Sequence, residues 1–297
     1  MHKQIKGTLQ LSMAAFIWGL AFVAQSVGME HVGPWTFICI RYILGALILL
    51  PLIRAEYKLT NRKETAPDKK AALKGGIICG IFLVSASYFQ QYGIMETSVG
   101  KAGFITTLYI IIVPFLSVFL HRRIGINEWI SAVIALVGFY IMSISGYSAI
   151  NRGDIMLLIC AFLFSMQILS IDRYVSGVDP VVLSCIEFAV SAIVGAAGMV
   201  FFEKPSIYDI KMAAIPLLYT GICSTAIAYT LQVMGQRNLK PTIASLLMSL
   251  ESVFAALGGY VILHQTLSMR EIIGCILVFT GVILAQLRIP QKAKENK

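Results

Sequence analysis

Glu251 sits near the middle of an apolar block that runs from about residue 241 to 263. An ionised carboxylate at the centre of a bilayer costs at least about 2.5–3.5 kcal/mol on insertion scales, so such a group must be paired, hydrated or protonated. A carboxyl that takes and releases a proton there is a candidate for proton exchange coupled to the movement of a substrate. The plainer reading is a neutral Glu251 bonded to a neighbouring backbone or Ser group, holding helices together. Two further charges lie inside apolar blocks, Arg41 and Glu187, each seven residues beyond a proline (Pro34 and Pro180), which is roughly 10 Å along a helix. Arg41 is expected to snorkel partway outward and Glu187 to pair with Arg173; a gating or ion-pair role suits them as well as substrate contact does. Trp18, Tyr88, Gln91, Tyr109, Gln167, Tyr229 and Gln232 put polar atoms into apolar surroundings and need partners away from lipid. Together with Glu251 they are the candidate substrate-binding residues, suited to a zwitterionic or hydroxylated ligand, and each is equally suited to bonding one helix to another. Tyr88 and Gln91 are three apart and share a helical face, which Tyr229 and Gln232 repeat.

Other chemistries lack their signatures. No HExxH, GxSxG or GxxxxGK[ST] pattern occurs, and the four His fall at or near the ends of apolar blocks. The six Cys (Cys39, Cys79, Cys160, Cys185, Cys223, Cys275) occur singly inside such blocks, without metal-ligand spacing, and read as small packing residues. An enzyme is therefore not expected, nor any cofactor or metal. A pump driven by ATP would need a partner subunit to supply the nucleotide site.

The elements that must hold these residues follow from composition. The 297 residues are 58% apolar and 13% charged, with mean hydropathy +0.80, against about 45–50% and about 25% in soluble domains. That excludes a soluble globule and defines an all-α, multi-pass membrane protein. A crossing takes about 20 apolar residues because every backbone polar group must be satisfied internally. Ten segments qualify: 8–27, 34–53, 75–95, 101–120, 127–145, 154–172, 180–201, 212–235, 241–263 and 269–288. Arg54–Lys74 is the one sizeable loop expected; its basic, polar character suits anionic lipid head groups. The net charge of +9 would suggest nucleic acid in a soluble chain, but here the basic residues occupy connectors, and no nucleic-acid partner is expected. Of the 24 Lys and Arg, eighteen fall on the side holding the N-terminus, five on the opposite side, and Arg41 within a span. The positive-inside rule then puts both termini in the cytoplasm, in the cell membrane.

Sliding the chain on itself exposes a weak repeat. A shift of 146 lays Pro34, Cys39 and Arg41 over Pro180, Cys185 and Glu187, and Trp18 over Phe164. A shift of 143 lays Leu120-His121 over Leu263-His264, Glu128 over Glu271 and Gly138 over Gly281, and a shift of 141 lays Tyr88 and Gln91 over Tyr229 and Gln232. Two five-span units result, residues 1–148 and 149–297. Five is odd, so the second enters the membrane from the opposite side. Inverted repeats of this kind are a common carrier construction, because two equivalent packings of the halves open a mid-depth site to alternate sides. A channel would more usually draw its filter from several subunits.

The pattern Phe16-Ile-Trp18-Gly19, Gly33-Pro34 with Arg41 following, Thr97-Ser98 then Ala102-Gly103-Phe104, Pro114, and Leu250-Glu251 resembles the EamA-type, ten-span members of the drug/metabolite transporter superfamily, over essentially the whole chain. The second copy departs from the pattern at Ser252, where proline is usual, so a proline bend is not expected there; Pro114 is expected to bend the fourth span. The resemblance implies secondary transport of small metabolites, amino acids and related compounds prominent among them, commonly outward, with uptake by the same fold as the alternative and protons as a candidate second substrate. One chain carries a full pathway, so a monomer suffices.

Overall fold

The computed structural model describes residues 2–59, 68–97, 99–122, 124–143, 151–262 and 268–286, and among them every regular element is helical. Eight segments are long and apolar enough to cross a membrane: Lys3–Met29, Pro34–Ala55, Lys69–Glu96, Val99–Phe119, Arg152–Tyr174, Pro180–Phe202, Ala214–Gln236 and Pro241–Gly258. The shorter apolar helices Ile126–Ile141 and Ile272–Gln286 stand where the fifth and tenth spans were expected. Ser98, Leu263-His264, the boundary at 148 and both chain termini lie outside the described residues.

Burial departs from that of a soluble protein. Gln91, Gln167 and Glu187 are 0% exposed, while Ile193, Phe201 and Ile215 are 70–81% exposed. Polar side chains share the interior with an apolar core while many large apolar ones face outward, which a lipid surround favours.

Helix starts follow local chemistry. In α1 (His2–Met29) and α2 (Pro34–Leu59) no acidic residue marks the first turn, but α2 opens on proline, whose missing N–H costs nothing at that position. The helix α3 (Lys69–Glu96) is capped by Asp68, which accepts from the backbone N–H groups of Lys70 and Ala71. The expected loop Arg54–Lys74 is therefore shorter than its composition suggested. Ala55-Glu56-Tyr57-Lys58-Leu59 holds no helix breaker, so α2 continues through it, and 60–67 lie outside the described residues. An Asn151–Asp154 capping box starts α7 (Arg152–Tyr174), and Asp179 caps α8 (Pro180–Phe202).

The fourth and ninth spans are each broken in mid-course. The fourth consists of α4 (Val99–Thr106) and α5 (Tyr109–Phe119). After α6 (Ile126–Ser143), α9 (Ile207–Met212), α10 (Ala214–Tyr219) and α11 (Thr230–Gln236), the ninth consists of α12 (Pro241–Met248) and α13 (Leu250–Ile262), with α14 (Met269–Gln286) closing the chain. The same side-chain contact is found at both breaks. Thr107 Oγ1 donates to the Phe104 carbonyl and Ser249 Oγ to the Leu246 carbonyl, both at 2.8 Å. Each hydroxyl thus competes for an acceptor of the i→i−4 ladder and disrupts it locally. Pro114 lies inside α5, beyond the break, so the discontinuity is not a proline effect. The ninth span likewise breaks without the proline that Ser252 replaces. Ser252 Oγ instead donates to the Gly103 carbonyl at 3.1 Å, which ties the two breaks together.

Much of the packing pairs helices from different halves of the chain: α3 with α7 and α8, α6 with α14, α2 with α8, and α1 with α13 and α11. A Cβ added at Gly7 would meet the Gly235 carbonyl oxygen at 3.0 Å and one at Gly235 the Gly7 oxygen at 3.1 Å; Gly93 and Gly153 stand in the same mutual relation, at 3.1 Å each way. Glu203, which ends α8, accepts from the Trp35 and Thr36 backbone N–H groups (2.9 and 2.8 Å) and from Thr36 Oγ1 (2.7 Å), so it caps α2 from the other half. Losing such a cap costs about 0.5–2 kcal/mol. Glu203→Ala is expected to lower the melting temperature of the purified protein, and Glu203→Gln, which still accepts, to lower it less; a melt that Glu203→Ala leaves unchanged would show the cap to be energetically idle.

Candidate functional site

Between the halves lies a pocket of about 440 Å³ of empty space, its open mouth included. Six sequence-identified residues line it with Arg41: Trp18, Tyr109, Gln167, Tyr229, Gln232 and Glu251.

Tyr109 and Glu251 meet at its wall. Each lies in the first turn after a helix break, and the Tyr109 hydroxyl donates to Glu251 Oε1 at 2.9 Å. The breaks thus place an ionisable group and a phenolic partner side by side within two apolar spans.

A second wall is built around a π-helical segment, Thr220–Tyr229. Trp18 Nε1 donates to the Ser224 carbonyl at 3.2 Å, and the Trp18 ring lies 4.8 Å from that of Tyr229. Arg41 reaches the same segment, through Nη2 to Ser224 Oγ and Nε to Thr225 Oγ1, both at 3.2 Å, and through Nη1 to Gln25 Oε1 at 3.3 Å. Its guanidinium also lies 5.0 Å from the centre of the Tyr42 ring. Arg41 is 2% exposed, so it is held within the bundle and does not snorkel outward as the sequence suggested, because Gln25, Ser224 and Thr225 supply acceptors there. π-Helical turns recur at functional sites, and here one presents two consecutive hydroxyls to a single guanidinium.

The remaining expectations land elsewhere. Tyr88 stacks on Trp35 at 4.3 Å, off the cavity lining. Gln91 is buried behind the wall and donates to Gln25 Oε1 at 2.6 Å, while Gln25 and Gln90 face the cavity. The two matched polar faces therefore do not both line one chamber. Glu187 is wholly buried, accepts from Gln167 Nε2 at 2.8 Å and does not line the cavity; Arg173 is exposed, and the expected pair between them is not formed. Gln167 reaches Glu187 within the bundle, whereas Arg173 sits at the exposed end of α7. Gln232 Nε2 donates to Gln167 Oε1 at 3.1 Å, completing a Glu187–Gln167–Gln232 chain.

Sequence reasoning missed Gln25, Gln90, Ser224 and Met248 as lining residues. Gln25 carried a usable signal, a lone amide deep in the first apolar block; Ser224 and Met248 carried none, being ordinary residues of membrane helices.

A polytopic helical bundle with discontinuous spans and a buried polar cavity belongs to the architecture of membrane transporters. The chain itself belongs to the EamA-like transporter family, whose model matches it twice, over residues 5–144 and 151–287. It is 30% identical over 289 residues to an uncharacterized transporter of Archaeoglobus fulgidus, covering 97% of this chain and 88% of that one. A WAT1-related chloroplastic protein of Arabidopsis thaliana is 24% identical, with 91% of this chain and 66% of that one covered. A crystal structure superposes with a TM-score of 0.77 at 19% identity, over 95% of this chain and 97% of that one, a likeness of fold alone.

Proposed function

We propose that the protein is a secondary active carrier of the cell membrane that exports small metabolites, amino acids and related compounds among them, by alternating access, with Glu251 taking and releasing a proton in each cycle. The observation that carries this reading is the Tyr109–Glu251 contact at the two helix breaks, facing an aromatic and amide-lined cavity. Discontinuous helices meeting at a mid-depth site are the usual substrate and ion site of such carriers.

The construction as two inverted five-span halves, 1–148 and 149–297, is part of the proposal. It is supported by the double family match and by contacts that repeat between halves. Gly7 and Gly153 are 146 apart, and each faces a partner glycine across a helix pair, Gly235 and Gly93 respectively. Ten spans and cytoplasmic termini follow from that construction and from the distribution of Lys and Arg, and one chain then suffices. Small-molecule substrate, proton and lipid are the partners.

The test is thermal stabilisation of the purified protein across a panel of metabolites, since a ligand that binds the folded state raises its apparent stability, followed by flux of each stabilising compound in proteoliposomes. Saturable movement, and acceleration by acid on the side opposite the substrate, are expected. Flux that never saturates would overturn the carrier reading in favour of a channel, and acceleration only when acid and substrate share a side would overturn export by proton exchange.

A further inference from the structure

We propose that Arg41 is the anchor for a carboxylate group on the carried substrate, so that the cavity selects small monoanionic or zwitterionic acids. The inference rests on reading the cavity as the substrate site. It starts from a charge without a partner of opposite sign. Arg41 lines the cavity and is 2% exposed, yet its three hydrogen bonds go to the neutral acceptors Gln25 Oε1, Ser224 Oγ and Thr225 Oγ1. Among the described residues no carboxylate forms an ion pair with it. Glu251, the one acid lining the cavity among the described residues, is engaged by Tyr109.

Removing a cation from water costs several kcal/mol unless a counter-charge repays it. Neutral oxygens and the face of Tyr42 repay part of that cost. Three N–H groups are used by these contacts and a guanidinium has five. One N–H on each of Nη1 and Nη2 is thus left for a planar, two-oxygen acceptor.

Comparison with Glu187 sharpens the point. It is the residue 146 further on, its carboxyl does not line the cavity, and Oε1 accepts from Gln167 while the buried Oε2 makes no hydrogen bond. Of the two repeat-related charges, only the arginine is offered to a ligand. A carboxylate fits better than a phosphate monoester, because Arg41 is the only cation among the described lining residues and a dianion would leave excess negative charge in a cavity that Glu251 also lines. The apolar remainder of such a substrate would lie against Trp18, Phe22 and Phe164.

The experiment measures melting temperature in detergent with matched probes: L-leucine and L-leucinamide, 4-methylvalerate and its amide, benzoate and benzamide, isoamylamine, and inorganic phosphate. At least one acid is expected to stabilise the protein where its amide does not. Arg41→Met is expected to weaken that acid about tenfold or more, and Arg41→Lys, which keeps the charge without the fork, less. Amides or isoamylamine stabilising as well as the acids, phosphate stabilising alone, no acid stabilising at millimolar concentration, or Arg41→Met binding as tightly as wild type would each overturn the proposal. Should Arg41→Met fail to fold, the acid-against-amide comparison on the wild-type protein decides. Counterflow in proteoliposomes separates this outcome from the carrier reading. A neutral compound carried equally by wild type and Arg41→Met sinks the anchor and leaves the carrier; an acid that binds through Arg41 but never moves keeps the anchor and sinks the carrier.

Discussion

Glu251→Gln is expected to abolish acceleration of substrate flux by a pH gradient while leaving counterflow, the exchange of labelled for unlabelled substrate at equal pH, largely intact. Glutamine has the size of the protonated acid and keeps an oxygen to accept from the Tyr109 hydroxyl, now 2.9 Å from Glu251 Oε1. The break at Ser249 and the bond from Ser252 to the Gly103 carbonyl do not involve the side chain of residue 251, so the fold should stand. What the amide lacks is a proton to lose. If outward movement of substrate is exchanged for inward movement of protons, acid on the side opposite the substrate speeds wild type and has no effect on the variant. The loss in gradient-driven rate should be complete within error, since no second ionisable acid lines the cavity among the described residues. A variant that still responds to the gradient would move proton coupling elsewhere in the chain, with the buried Glu187 the next group to test. Tyr109→Phe should give a milder form of the same phenotype, because it removes one hydrogen bond to the carboxyl and leaves the carboxyl itself.

The multi-pass membrane character, eight of the apolar spans and several residues that line the cavity could be read in the sequence because each rests on a local quantity: the length of an apolar run, or a polar atom placed where lipid offers it nothing. Trp18, Tyr109, Gln167, Tyr229, Gln232, Glu251 and Arg41 face the cavity on those grounds. Two kinds of information were not local. The first is the phase of a polar residue around its helix: Tyr88 and Gln91 share a face with the right spacing, but Trp35 covers one and Gln25 the other. Which face of α3 meets the cavity is decided by its packing on α7 and α8. The second is backbone irregularity. Hydroxyls at Thr107 and Ser249 break two spans, and the stretch from Thr220 to Tyr229 widens into a π-helix. Ser and Thr are common in membrane helices, and only the neighbours that accept a distorted backbone decide which of them disturb it. Glu187 fails for a related reason: Arg173 was the nearest opposite charge in sequence, whereas Gln167 is the nearest acceptor-seeking group in space.

The α6–α14 contact lies away from the cavity lining and provides a test of the two-fold relation between the halves. A Cβ added at Gly138 would lie 2.7 Å from the Gly274 carbonyl oxygen, and one added at Gly281 would lie 2.7 Å from the Ser131 carbonyl oxygen. Both Gly138 and Gly281, and Ser131 and Gly274, are separated by 143 residues. Such a reciprocal contact is what a two-fold axis between α6 and α14 generates. In each case the obstacle is backbone, which cannot swing aside as a side chain can, so the helices must separate. Between membrane helices close van der Waals packing is the main attraction, and lipid gains no compensating hydrophobic term from the separation. Gly→Ala gains up to about 1 kcal/mol of helix propensity, whereas overpacking costs about 1–3 kcal/mol. The steric term wins at both sites. Gly138→Ala and Gly281→Ala should each lower the melting temperature, by similar amounts, while Gly100→Ala, whose new methyl meets nothing within 4 Å, should lower it not at all. Substrate affinity of the folded fraction should be unchanged, because neither α6 nor α14 contributes a lining residue. A large loss at Gly138 with none at Gly281 would mean that the two halves do not meet across an axis at all, and the inverted construction would fall with it.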